Sequence, residues 1–217
     1  MQKINVELIH PLVQAYAERY TTAENDLLRE VAEFTLTQHA DPNMLSGHLQ
    51  GGLLQMISKM IRPRRVLEIG TFTGYSALCL AEGLTDDGQM HTIDIREADV
   101  QLARSYFDRS PLGKKIISHC GNAKDIIPVI DESWDLVFID ADKPAYIDYF
   151  NLVFPRVRPN GFILADNILF HGQVLEAEPK GKSAKGIQAF NDFINNRSDI
   201  EKLVLTVRDG LYLLRKS

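Results

Sequence analysis

The 217-residue chain reads as one α/β domain, a doubly wound and mostly parallel seven-stranded sheet with a carboxyl-terminal antiparallel hairpin and amino-terminal helices. Three observations predict this. After Pro63, five short, nearly continuous apolar and β-branched runs alternate with amphipathic stretches, as strands in a sheet covered on both faces by helices must. Near the end, two more strand-like runs are separated only by Arg208, Asp209 and Gly210. Asp-Gly is a strong hairpin signal, so these two strands run antiparallel. Before Arg65 the apolar residues fall instead at helical spacing.

In chain order, 4–61 reads as helices, on the spacing of Leu27, Leu28, Val31 and Phe34 and again of Leu53, Leu54, Ile57, Met60 and Ile61. Residues 1–62 are expected to form a helical cover and 63–217 the α/β core of a single domain. The strands are predicted at 65–70, 89–95, 115–120, 134–140 and 161–166, with the hairpin at 202–207 and 211–215. Helices fall between them at 75–84, 99–107, 122–130, 146–157 and 187–195. No fixed-period repeat or low-complexity tract interrupts this order.

Composition removes several functional classes. The two cysteines, Cys79 and Cys120, have no short spacing between them, which excludes a disulfide framework or thiolate zinc site and fits a reducing cytoplasm. No apolar run approaches the ~18 residues of a membrane span, and 1–7 lacks the apolar core of a signal peptide. A net charge of −5 argues against a broad phosphate-binding surface.

The first strand runs into Glu68-Ile69-Gly70-Thr71-Phe72-Thr73-Gly74-Tyr75-Ser76. A dinucleotide-binding chain would carry G-x-G-x-x-G here, admitting pyrophosphate to a helix amino terminus. Glu68 replaces the first of those glycines. A carboxylate at that mouth repels pyrophosphate and suits a ligand with positive charge and no phosphate, such as S-adenosylmethionine. Gly70 and Gly74 let the backbone come close, while Thr71 and Ser76 offer hydroxyls. Asp94 ends the second strand near the ~20-residue interval at which an acid receives ribose hydroxyls. The segment 121–125 would reach the adenine, or would simply start a helix with Asn122 as its cap.

The fourth strand ends in Phe138-Ile139-Asp140-Ala141-Asp142-Lys143 and the fifth in Leu164-Ala165-Asp166-Asn167. Strand ends are where open α/β sheets bind ligands, so Asp140, Asp166 and Asn167 would meet beside the cofactor. Two carboxylates and an amide oxygen, without sulfur or imidazole, favour a hard cation such as Mg²⁺ or Ca²⁺. Without a cation the acids would repel one another. Lys143 could serve as base if burial and the cation lowered its pKa.

These motifs together resemble the cation-dependent O-methyltransferases, the group that contains catechol and caffeoyl-CoA O-methyltransferases and bacterial relatives. The resemblance runs from Met44-Leu45-Ser46 through 66–77, Asp94, 121–123 and 138–143 to 166–172. It implies the Rossmann-like class I methyltransferase fold, in which an antiparallel strand closes the sheet. It implies cofactor contacts from Ser46, Glu68, Gly70, Thr71, Ser76, Asp94, Ala123 and Asp142, with Gly74 in the same turn. Asp140, Asp166 and Asn167 become the metal ligands, and Lys143 the base. The cofactor would be S-adenosylmethionine, leaving S-adenosylhomocysteine, with Mg²⁺, or alternatively Ca²⁺ or Mn²⁺. The acceptor would be a small catechol-like or hydroxycinnamoyl-type phenol. Methylation of 5-hydroxyuridine in transfer RNA is the alternative, and a non-catalytic cofactor-binding module a further one. Relatives also imply a homodimer through the amino-terminal helices.

Departures concern the acceptor. His171 stands where plant enzymes usually carry a polar substrate-facing residue, and the lysine-bearing stretch 178–186 reads as a mobile lid for an anionic acceptor or as a solvated loop. Phe170 and Tyr146 are expected either to line an aromatic pocket or to pack in the core. The remaining histidines and Trp134 are expected to be structural.

Overall fold

The computed structural model describes residues 8–217, so the expected start of helical spacing at Ile4 lies outside the described residues. The strands are β1 (Arg65–Ile69), β2 (Gln89–Asp94), β3 (Ile116–Cys120), β4 (Trp134–Ile139), β5 (Val157–Asp166), β6 (Ile200–Leu205) and β7 (Leu211–Lys216). They form one sheet in the order β3-β2-β1-β4-β5-β7-β6. β1 to β5 are parallel, and β7 pairs antiparallel with both β5 and β6. The fold class expected from sequence is the one observed. Strand order reverses between β1 and β4, which opens a crevice at their carboxyl ends.

Both faces of the sheet are covered, which explains why its strands lack clean alternation. Leu136, Val137, Phe138 and Ile139 of β4 are all fully buried. On one face lie α6 (Ala123–Ile126), α7 (Tyr146–Val153) and α8 (Gly181–Asn195), whose Tyr146, Phe150, Phe190 and Ile194 pack with Trp134. The other face takes α4 (Tyr75–Ala81) and α5 (Glu97–Phe107). It also takes α2 (Asp26–Gln38) and α3 (Gly47–Ile61) of the helical cover, whereas α1 (Pro11–Arg19) buries no residue. Leu54 and Ile57 of α3 share a core with Val66 and Met90. The contact is close, since a Cβ on Gly51 would lie 2.6 Å from the Tyr75 ring. No helix among the described residues is long and apolar enough to cross a membrane.

Several boundaries move, each for a local reason. The helix expected over 122–130 is α6 followed by a 3₁₀ turn at Ile127–Val129, because Pro128 cannot continue the ladder. The one expected over 146–157 stops at Val153, before Pro155. β5 starts at Val157, four residues early, and a bulge opposite β4 absorbs Pro159 and Asn160. The 75–84 helix ends at Ala81. α8 starts at Gly181 instead of Ile187, so 181–186 is helix where the sequence reading had a lid or a solvated loop. Its buried stripe Ala184, Ile187, Phe190, Ile194 begins one turn earlier than the sequence reading took it.

Candidate active site

One cavity of about 850 Å³ opens at the carboxyl ends of β1, β2 and β4. Of the residues expected to form the cofactor and metal sites, all but Glu68 and Gly74 line it. Gly70 sits where the ladder carries on past the strand ends: it donates to Ile93 O (2.8 Å), and Asp140 N donates to Ile69 O (2.8 Å). Its φ is +109°, and a Cβ there would lie 2.1 Å from the Asp140 carbonyl oxygen. The glycine therefore allows the two strand ends to touch. Gly74 (φ +85°) opens α4 against the Phe107 ring, a packing role rather than a wall position.

Glu68 lies beneath the cavity floor, fully buried. Its Oε2 accepts from Thr92 Oγ1 (2.5 Å), which bonds in turn to Thr71 Oγ1 (2.6 Å). Its Oε1 is buried without a partner. Burial, opposed by the Ser76 and Thr92 hydroxyls, pushes its carboxyl up to about 8. A donor or positive charge arriving from the cavity would relieve this acid, so the cradle fits a cationic, phosphate-free nucleoside. Asp94 is held by the backbone N–H groups of Phe72 (2.8 Å) and Arg96 (3.0 Å). Asn122 caps α6 by accepting from Lys124 N (2.9 Å), and both Asn122 and Ala123 line the wall. Asp142 accepts from the Tyr149 hydroxyl.

Next to this cradle lies a second group. Lys143 Nζ donates to Asp140 Oδ1 (2.7 Å) and to Tyr146 Oη (2.9 Å). Asp166, buried at the end of β5, accepts from Gln50 Nε2 at Oδ2 (2.7 Å) and from Asn167 N at Oδ1 (2.8 Å). Burial and then the Asp140 charge push Asp166 up to about 7. Burial favours neutral Lys143, but the Asp140 carboxylate and Tyr146 outweigh it and raise its pKa, so in the ligand-free protein it is a paired ammonium. The base role expected of it depends on a cation that neutralises Asp140, the carboxylate it pairs with. Among the described residues no three His, Cys, Asp or Glu side chains converge as a cage. The donor set nevertheless fits a hard cation: two repelling carboxylates and an amide oxygen are all hard, and positive charge between the acids removes the repulsion.

A family model for O-methyltransferases matches residues 18–217. The chain belongs to the O-methyltransferase family. This O-methyltransferase is 31% identical over 160 residues to catechol O-methyltransferase of Niastella koreensis, covering 72% of each chain. It is also 31% identical over 209 residues to caffeoyl-CoA O-methyltransferase 2 of Petunia hybrida, covering 89% of this chain and 84% of the relative. Among solved structures it superposes on the O-methyltransferase TomG from Streptomyces achromogenes, in complex with S-adenosylmethionine, with a TM-score of 0.88. That match has 28% identity and covers 95% and 96% of the two chains. The Bacillus cereus O-methyltransferase in complex with S-adenosylhomocysteine matches with TM-score 0.84 and 28% identity, covering 95% and 97%.

The remaining residues of this O-methyltransferase fall within the alternatives that the sequence left open for them. Tyr146 does not line the cavity; it is fully buried, and its hydroxyl donates to Asp166 O (3.0 Å) while receiving Lys143. Phe170 does line it. His171 stands at the mouth in a left-handed conformation, its backbone N donating to Asp209 Oδ1 (2.5 Å). His91 stacks on His119 and meets Trp134 edge-on, and burial with the His119 neighbour pushes it down to about 4, a packing role. Sequence reading missed Gln50, Tyr149, Arg208 and Asp209. For Gln50 a signal existed: a polar residue on the apolar stripe of α3, in register with Leu54 and Ile57.

Proposed function

We propose that the protein methylates a hydroxyl of a catechol-like or hydroxycinnamoyl-type phenol, using S-adenosylmethionine and a divalent cation, Mg²⁺ first. The observation that carries this is the convergence of Gly70, Thr71 and Ser76, above the buried and orphaned Glu68, with Asp140, Asp166, Asn167 and Lys143 in one cavity. Bound S-adenosylmethionine supplies an electrophilic methyl group. Asp140, Asp166 and Asn167 would hold the cation, whose chemistry is to acidify a chelated hydroxyl.

The chain's own residues do the rest. Thr71, Ser76 and Asp94 offer polar groups to the nucleoside and amino-acid ends, and Ala123 leaves room beside the base. Gln50 and the Asn167 backbone N–H fix the Asp166 carboxylate. Tyr146 holds Lys143 Nζ beside Asp140, where it can take the proton of the acceptor hydroxyl. The Asp140 charge that keeps Lys143 protonated in the ligand-free protein is the charge a cation would neutralise. Alignment of the acceptor against the methyl donor in a walled cavity lowers the barrier further.

The test is methyl transfer from labelled cofactor with Mg²⁺ to catechols, caffeoyl esters, and transfer RNA with and without 5-hydroxyuridine. Unchanged transfer to a catechol in EDTA and in Asp140→Ala would sink the metal reading, and exclusive transfer to the RNA would replace the acceptor. Binding of S-adenosylhomocysteine by calorimetry checks the cradle. We also propose a homodimer. α1 buries no residue and, with Tyr20 just after it, exposes Leu12, Val13 and Tyr16, more apolar surface than a lone helix keeps. A monomer mass by light scattering would refute it.

A further inference from the structure

Arg208 belongs to the β6–β7 connection, and the reaction outlined above does not use it. It lines the cavity. Its backbone is held at φ +49°, in the left-handed region that favours glycine, although the chain spends its longest cationic side chain there. Such a conformation is strained for a residue with a side chain and points to a role for it.

The guanidinium is anchored from one side. Its NH1 group donates to the Ser46 carbonyl (2.6 Å) and to Gln50 Oε1 (3.2 Å). The same Gln50 amide donates to Asp166 Oδ2 (2.7 Å), so the arginine sits one side chain away from a candidate cation ligand. Among the described residues no carboxylate comes within ion-pair distance of Arg208. Its neighbour Asp209 is held by His171 N (2.5 Å) and faces His171 Nδ1 (3.7 Å), so it feels the Arg208 charge without pairing with it. Nor do Nε and NH2 of Arg208 have a hydrogen-bond partner among the described residues. Those two groups form the side-on fork that grips a carboxylate with two parallel bonds. Elsewhere the chain shows the filled fork: Arg197 uses Nε (2.9 Å) and NH2 on the two oxygens of Asp199.

We propose that Arg208 selects an acceptor carrying a carboxylate, so that the preferred substrates are dihydroxyaromatic acids, whose diol faces Asp140 and Asp166 while the acid occupies the arginine fork. This rests on the phenolic reading above and narrows it. Arginine is always charged, and in a partly enclosed cavity an unpaired guanidinium gains most from a rigid, planar anion. A neutral ester or an unsubstituted catechol leaves the fork unfilled.

The experiment compares kcat/KM for 3,4-dihydroxybenzoate and for its methyl ester, in the wild type, Arg208→Met and Arg208→Lys, each checked for folding by thermal melting. A charge-assisted pair of this kind is worth ~10- to 100-fold. The wild type should therefore prefer the acid over the ester by that factor. In Arg208→Met the acid-to-ester ratio should collapse towards one, mainly through KM for the acid, whatever the rate on the ester. Arg208→Lys should retain part of the ratio. An acid-to-ester ratio at or below one in the wild type, or a ratio unchanged in Arg208→Met, overturns the assignment. Methylation of neither compound by the wild type overturns the phenolic reading itself, a failure separable from that of Arg208.

Discussion

Replacing Glu68 by glutamine isolates the cost of a buried acid. Glu68 is fully buried, one oxygen lacks a partner, and burial with the Asp140 and Asp94 charges lifts its carboxyl from 4.5 to about 8. Between those two values the folded ligand-free protein holds a proton that the unfolded chain has released. Stability is therefore lost as pH rises from 4.5, and the loss is complete above about 8. At 1.36 kcal/mol per pH unit, the interval amounts to about 5 kcal/mol as an upper limit. Glutamine keeps the shape and still accepts from Thr92, but has no charge to bury. Urea unfolding without ligand, at intervals from pH 5 to 9, should show the wild type losing stability relative to Glu68→Gln by several kcal/mol. Parallel stability curves for the two proteins would show that Glu68 ionises freely in the fold and would refute the argument.

Further outcomes follow from the same geometry. Above the Glu68 pKa of about 8, at pH 9, Glu68→Gln should weaken S-adenosylmethionine by about tenfold more than S-adenosylhomocysteine, because only the former carries the sulfonium charge; calorimetry with both ligands reads the difference. Gly70→Ala drives a Cβ to 2.1 Å from the Asp140 carbonyl and should weaken cofactor binding by at least ~10-fold. Gly181→Ala, also at positive φ but with nothing within 4 Å, should cost only ~1 kcal/mol of stability by urea unfolding and spare binding. Asp166→Asn should lower Mn²⁺ affinity ~10- to 100-fold by paramagnetic resonance, and Gln50→Leu should do so less, because it removes only the bond that orients Asp166. Phe150→Ala, which empties a fully buried site stacked on Phe154 at 5.0 Å, should cost ~3 to 5 kcal/mol by urea unfolding.

Much of the architecture was legible because its signals are local. The apolar runs at β1, β2 and β4 are buried on both faces, so their composition alone marks them as strands, and Asp209-Gly210 marks the return into β7. Element ends were less legible. Pro128 and Pro155 turned helix ends into 3₁₀ turns, and the α8 stripe began in a stretch whose lysines masked Ala184. Strand order is not a local property either: only packing inserts β7 between β5 and β6.

The sequence by itself determined the chemistry of the site's contents: a glycine turn with an acid in place of its first glycine, and oxygen donors at two strand ends followed by a lysine. Residue type and spacing are enough for that, since each motif occupies one strand-to-helix turn. The tertiary structure decided what faces those groups across the cavity. Gln50 lies 116 residues from Asp166, and Arg208 lies 162 from Ser46. No periodicity links positions so far apart. Only the docking of α3 onto the sheet, and of the β6–β7 connection onto α3, brings an amide to the carboxylate and leaves a guanidinium fork open beside it.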